Sequence, residues 1–262
     1  MKKIIALLTA AVIAAALCAC SGSAPDPKKD LETAKEKNQL VIGYTVYEPM
    51  NYKDKDGKLT GFDTEFAEAV CKKLGVKPKF VIIDWDNKLM ELESGNIDCI
   101  WNGMTITDKI KKGADVSRAY ARNKQVVVLK AEKAGGISDV SDLKGLKFAA
   151  EAGSAGETAI KDNKLDNGYI PVSAQSDALL EVKSGAADAC VIDISMAQAM
   201  TGDGTDYADL KAVLSLTDEE YGVAFRKGSN LTEKVNSIMD ELKADGTLDA
   251  LAEKYDKVKL AF

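Results

Sequence analysis

Apolar and polar positions along this chain alternate between two periods, and the switches mark the elements. Leu40 to Tyr44 is a short apolar run, as expected of a strand. Asp54-Lys-Asp-Gly57 offers the Asp-Gly turn of a tight hairpin. Phe66, Ala67, Val70 and Leu74 then recur at helical spacing, with Asp63 as a candidate cap and Gly75 as a stop. Phe80–Ile83 is strand-like, Asn87–Glu93 helical, and Ile97–Trp101 a strand again. Thr105 or Thr107 opens a short helix, and Gln125–Lys130 is a long apolar strand.

The series then restarts. Leu146–Ala150 reads as a strand, and Ser154 and Glu157 are spaced as a capping box for the helix that follows. Ile170–Val172 and Ala187–Ile192 read as strands, and Ser176–Lys183 and a segment from Asp193 as helices. Tyr221–Phe225 is one more strand, and Leu231–Lys243 and Leu248–Tyr255 close the chain as helices. A β-α-β series written twice predicts two α/β lobes with mainly parallel sheets. Such sheets hold ligands at the carboxyl ends of their strands, so chemistry is sought just after each strand.

The amino terminus carries a different pattern. Lys2 and Lys3 precede an uncharged apolar run from Ile4 to Leu17. That run has the length of an export-signal core and falls short of the roughly 20 residues of a membrane span. Leu17-Cys18-Ala19-Cys20 resembles the bacterial lipobox, which implies cleavage before Cys20 and a diacylglycerol on its sulfur. A plain secretory signal cut after a small-x-small pattern is the alternative. The polar, Pro-containing Ser21–Asp30 reads as a flexible tether.

Composition narrows the chemistry. Without residues 1–19 the chain holds 33 basic and 41 acidic residues, a net charge of −8, which argues against nucleic acid as a partner. There is no histidine, so no Ser-His or Cys-His nucleophile and no imidazole metal site exist. Cys71, Cys99 and Cys190 are isolated in apolar surroundings and read as buried thiols, not as a zinc cluster. The Asp54 turn lacks the further acids of a calcium loop, and Gly153-Ser-Ala-Gly156 lacks the Lys of a phosphate loop. No cofactor and no metal are expected.

Seven motifs, in order, resemble the polar amino-acid solute-binding proteins of ABC importers, the bacterial extracellular solute-binding proteins of family 3 in lipoprotein form. They are Tyr47-Glu-Pro-Met with Asp56-Gly-Lys-Leu-Thr-Gly-Phe-Asp63, Asp84-Trp-Asp86, Ser94-Gly-Asn-Ile-Asp98, Asn102-Gly-Met-Thr-Ile-Thr107, Asp142-Leu-Lys-Gly145, Ala152-Gly-Ser-Ala-Gly-Glu157 and Tyr221-Gly-Val-Ala-Phe-Arg226. Ala244-Asp-Gly-Thr-Leu248 and Lys254-Tyr255 also fit. The resemblance implies a type II periplasmic-binding-protein fold, two α/β lobes joined by two hinge strands with a ligand cleft between them. It implies a signal peptide at 1–19, a lipidated Cys and tether at 20–37, lobe 1 at 38–122 plus 221–262, and lobe 2 at 123–220. The expected function is capture of an amino acid or similar amine-bearing solute by an exported, lipid-anchored monomer, outside the cell or in the periplasm, for delivery to ABC importer membrane subunits. A dehydratase-type enzyme on the same fold, or a ligand-sensing module feeding a receptor, are the alternatives.

By position the resemblance assigns ligand contacts. Tyr47 would cover the ligand, and Asn102, Gly103, Met104 and Thr105 would meet it through backbone groups and the Thr hydroxyl. Asp193 would hold an α-amino group, and Glu151 and Ser154 would flank it. Helix capping by Thr105 or Thr107, Ser154 and Asp193 is the competing structural role. Where the family carries an Arg for the ligand carboxylate, this chain has Ile110, and the resemblance leaves Arg118 or Lys109 as substitutes, or a ligand lacking that carboxylate.

Overall fold

The computed structural model describes residues 25–255 and 257–262. The leader and Cys20 lie outside the described residues. A short helix α1 (Asp30–Glu36) follows a 3-10 turn at Pro27–Lys29, so the expected tether ends earlier than residue 37. The reason is a buried charge cluster. Arg226 donates to Asp30 (2.8 Å), to Asp98 (3.1 Å) and to the carbonyls of Leu92 (3.2 Å) and Ile97 (2.7 Å). Asp30 also accepts from the Ser229 hydroxyl at 2.7 Å. Arg226 and Asp30 are both buried, so α1 is pinned to the first lobe.

The first lobe contains β1 (Gln39–Tyr44), the hairpin β2 (Tyr52–Lys53) and β3 (Leu59–Thr60), α2 (Phe62–Leu74), β4 (Lys77–Ile82), α3 (Lys88–Ser94), β5 (Cys99–Ile100), α4 (Asp108–Gly113) and β6 (Asp115–Val116). A long strand, β7 (Ala121–Lys130), leads out of it. The second lobe contains β8 (Phe148–Glu151), α5 (Ala155–Asp162), β9 (Ile170–Val172), α6 (Gln175–Ser184), β10 (Ala189–Asp193) and α7 (Ile194–Met200). The chain returns through β11 (Leu210–Tyr221) to β12 (Ala224–Phe225), α8 (Leu231–Ala244), α9 (Thr247–Lys254) and β13 (Lys259–Leu260).

Two sheets result. The first runs β4-β1-β5-β12-β6, with β1 parallel to β4 and β5, and β12 antiparallel. The second runs β11-β7-β10-β8-β9, with β8, β9 and β10 parallel and β7 antiparallel to both its neighbours. β7 and β11 pair from Ala121–Tyr221 to Lys130–Leu210 and carry the chain between the lobes. Burial follows the periodicity: Phe66, Ala67, Val70 and Leu74 of α2 pack with Trp101, Tyr120 and Phe225, while Val127, Leu129, Phe148, Ile160 and Val191 form a second core. Cys71, Cys99 and Cys190 are buried free thiols.

One local expectation fails, and one strand is not foreseen. Asp63 caps nothing; its carboxylate turns inward, for reasons given below. The strand β11 has no counterpart in the sequence pattern. Register shifts at Ala212/Leu214 and Ser215/Thr217 break its alternation, and Asp218-Glu-Glu220 adds charge where a strand signal is sought.

Arg226→Met should cost about 3–5 kcal/mol, because it strands the buried Asp30 carboxylate. Urea unfolding measures this. A loss below about 1 kcal/mol would reduce the cluster to the worth of a surface pair.

Candidate functional site

The carboxyl ends of β1 and β5 face those of β8 and β10, and a cavity of about 400 Å³ lies between them. Its walls include Trp85, Lys88, Asn102 to Thr105, Ile110, Gln125, Glu151, Gly153, Ser154, Gln175 and Asp193. The volume is in the range of small-molecule sites. The lobes meet on both sides of it. Lys88 Nζ donates to the Gly153 carbonyl at 2.8 Å on one side, and Tyr47 Oη bonds Ser195 Oγ at 2.6 Å on the other.

The loop after β5 is held from behind. The Asn102 side chain donates to the Thr45 carbonyl (2.9 Å) and Asn51 Oδ1 (2.7 Å), and accepts from the Thr45 amide and hydroxyl. Its amide is thereby committed to positioning, which leaves the backbone to line the cavity. Gly103 has φ +53, and a Cβ there would lie 2.5 Å from the Tyr47 ring, so both backbone and space require glycine. Its N–H donates to Asp63 at 2.6 Å, and Tyr120 donates to the same oxygen at 2.7 Å. Burial pushes the Asp63 carboxyl up to about 7, the Gly103 and Tyr120 donors acting in the opposite sense. The cap of α4 is Thr107, which accepts from Ile110 N at 3.2 Å. Thr105 is left to donate to Glu219 at 3.0 Å.

On the second lobe, Ser154 caps α5 by accepting from Glu157 N at 3.1 Å. The Glu157 carboxylate reaches back to Gly153 N at 2.7 Å instead of to the cap residue's own N–H. Gly153 has φ +70, and a Cβ there would come within 2.7 Å of the Asp86 backbone. The lobes therefore close on a glycine because nothing larger fits. Glu151, at the end of β8, is 2% exposed, and its Oε1 has no hydrogen-bond partner among the described residues.

Asp193 ends β10. It occupies the cap position of α7 but makes no capping bond. Its Oδ1 accepts from Asn123, Gln125 (2.8 Å) and Tyr221 (2.7 Å), and its Oδ2 from Gln175. Burial, then the neighbouring Glu219, raises its carboxyl well above the usual range. Tyr47 stands apart from the other candidates. It is buried behind the cavity wall, with its ring against Gly103 and its hydroxyl on Tyr221 at 2.7 Å as well as on Ser195.

Residues 40–258 match the bacterial extracellular solute-binding proteins, family 3. The chain belongs to this family. It is 33% identical over 260 residues to the arginine-binding extracellular protein ArtP of Bacillus subtilis (strain 168), covering 97% of this chain and 98% of that one. It is 32% identical over 227 residues to the L-cystine-binding protein TcyJ of Escherichia coli (strain K12), covering 86% and 85%. A mutant of the arginine-binding protein of T. maritima superposes with a TM-score of 0.80 at 31% identity, covering 86% of this chain and 98% of that one. As a family member, this solute-binding protein works outside the cytoplasm.

Three polar side chains at the cavity carry no signal in the sequence pattern. Lys88, Gln125 and Gln175 all line the cavity. Trp85 was in a quoted motif, Asp84-Trp-Asp86, without a role. Lys88 was hidden because its position on α3 reads as solvent-facing until the second lobe covers it. Arg118 is excluded as a substitute for the missing Arg, since it lies on the surface, ion-paired with Asp240. Ile110 lines the cavity but belongs to an apolar cluster with Trp85 and Met104.

Burial raises the Glu151 carboxyl from 4.5 to about 8, with the Thr45 hydroxyl and Lys88 opposing. The folded protein then holds a proton that the unfolded chain releases between those values, so stability falls as pH rises through that window. Glu151→Gln should therefore raise the melting temperature of the ligand-free protein at about pH 8.5 more than at about pH 4, by roughly 2–4 °C for each kcal/mol recovered. Equal shifts at the two pH values would show that Glu151 does not titrate in this window.

Proposed function

We propose that this protein captures an amino acid or similar amine-bearing solute outside the cell and delivers it to the membrane subunits of an ABC importer. The observation that carries this reading is a pair of buried carboxylates, Glu151 and Asp193, on the wall of one cavity between the lobes. Neither has an ion-pair partner among the described residues. An ionised carboxylate in such surroundings costs several kcal/mol unless a cation meets it. A ligand ammonium supplies that cation at the moment the lobes close. The ligand-binding form is then the closed one, and the importer recognises it by its differential affinity.

The relatives' names support this ligand class. ArtP is named for arginine and TcyJ for L-cystine, both amine-bearing amino acids. The cavity walls add to it, with Asp86, Asp108, Glu151, Glu157 and Asp193 facing Lys88, Lys109 and Lys161. A cationic amino acid relieves that excess of acid better than a neutral one.

Asp193→Asn should weaken binding of the preferred amino acid by about 2–5 kcal/mol, the range for a buried charge-assisted pair. Calorimetry on the best hit from a thermal-shift panel of the twenty amino acids, small peptides and amines reads this. Unchanged affinity would confine Asp193 to holding Gln125, Gln175 and Tyr221 in place.

The lipobox resemblance at Leu17–Cys20 supports anchoring through Cys20. Cys20→Ala should move the protein from the membrane fraction to the soluble envelope fraction or the medium. Retention at the membrane, or mass spectra without acyl chains on Cys20, would rule the anchor out.

A further inference from the structure

We infer that Lys88 receives the carboxylate of the ligand, so that the cleft selects molecules carrying both an amine and a carboxylate; this rests on the capture reading above. Lys88 is the first residue of α3, and it is 7% exposed. Its ammonium lies over the Trp85 ring, with Nζ 4.7 Å from the centroid. An ammonium has three hydrogens. Two go to the carbonyls of Trp85 and Gly153, each at 2.8 Å. No carboxylate lies within ion-pair distance of Lys88 among the described residues, and the third hydrogen is left to the Trp85 ring and to the cavity that Lys88 lines.

The other cations near the cleft are unsuited. Lys161 is tied to Glu157 at 2.7 Å, and Lys109 is exposed. Arg118 faces Asp240 on the surface. Lys88 is thus the buried positive charge of the wall. Burial lowers its ammonium to about 8, with Glu151 the foremost charge sustaining it. A ligand carboxylate would restore the balance. The arrangement also couples capture to closure. Lys88 comes from the first lobe and Asp193 from the second, so a zwitterion held by both ties the lobes together. With the lobes in contact, the ammonium already reaches the second lobe through its bond to the Gly153 carbonyl.

The bland role for Lys88 is that of a latch on Gly153, and a latch would act on every ligand alike. The test is therefore a ratio. Calorimetry compares L-arginine with agmatine and L-lysine with cadaverine, pairs that differ by the carboxylate. Wild type should favour the amino acid by about 10- to 100-fold, the worth of a hydrogen bond to a charged group. Lys88→Met should bring the ratio to within about twofold, while Lys88→Arg should keep most of it. Circular dichroism confirms that each variant is folded. A Lys88→Met protein that binds both members more weakly with the wild-type ratio intact overturns the assignment, as does a wild-type preference for the decarboxylated amine. Wild-type protein that binds none of the four compounds or the wider panel sinks the capture reading itself, a result distinct from an unchanged ratio.

Discussion

Two carboxylates share two amides where the lobes cross, and the molecule is organised around that arrangement. Asp193 and Glu219 each accept from Asn123 and Gln125 of β7. A carboxylate held by amide donors is costly to misplace, since each donor must stay within hydrogen-bond reach. β7 meets this demand by alternation. Asn123 and Gln125 point to one face while Arg122 and Lys124 point to solvent. β11 does the same with Glu219 and Tyr221, so the crossing strands are both the link between the lobes and the floor of the site.

From that floor the rest follows in layers. Tyr221 joins Asp193 to Tyr47, Tyr47 packs on Gly103, and Gly103 is held by Asp63 of α2. Each of these groups is buried, and each makes sense as support for the backbone that lines the cavity. Beside the cavity, Glu151 Oε1 on the second lobe has no hydrogen-bond partner among the described residues, and Lys88 on the first lobe meets backbone carbonyls instead of a carboxylate. Natural structures keep such unmet polar groups where function needs them, at a cost to the stability of the ligand-free form. The same residues would be odd choices for a cavity that served only packing.

Much of the fold was legible because helices and parallel strands bury one face or both in regular periods. α2 and α8 follow their apolar spacing, and the strands ending at Tyr44, Ile100, Glu151 and Asp193 lie close to where apolar runs end. The strand β11 was not legible. Its bulges break the period and its acids serve the hinge network instead of a core. Among the candidate contacts, Gly103, Thr105, Glu151, Ser154 and Asp193 come together on one cavity, because each sits just after a strand of a sheet whose carboxyl end faces the other lobe.

The sequence by itself determined the two-lobed α/β plan, the acidic character, the absence of histidine chemistry and the loops that line the cavity. Those follow from local period and composition. It could not say that Asp63 serves Gly103 instead of capping a helix, that Asn102 is spent on Thr45 and Asn51, that Asp30 is drawn into the first lobe by Arg226, or that Lys88 faces a cavity. Each of these depends on a partner distant along the chain, and the energy of a buried charge is set by the groups around it in space, which only the closed tertiary structure supplies.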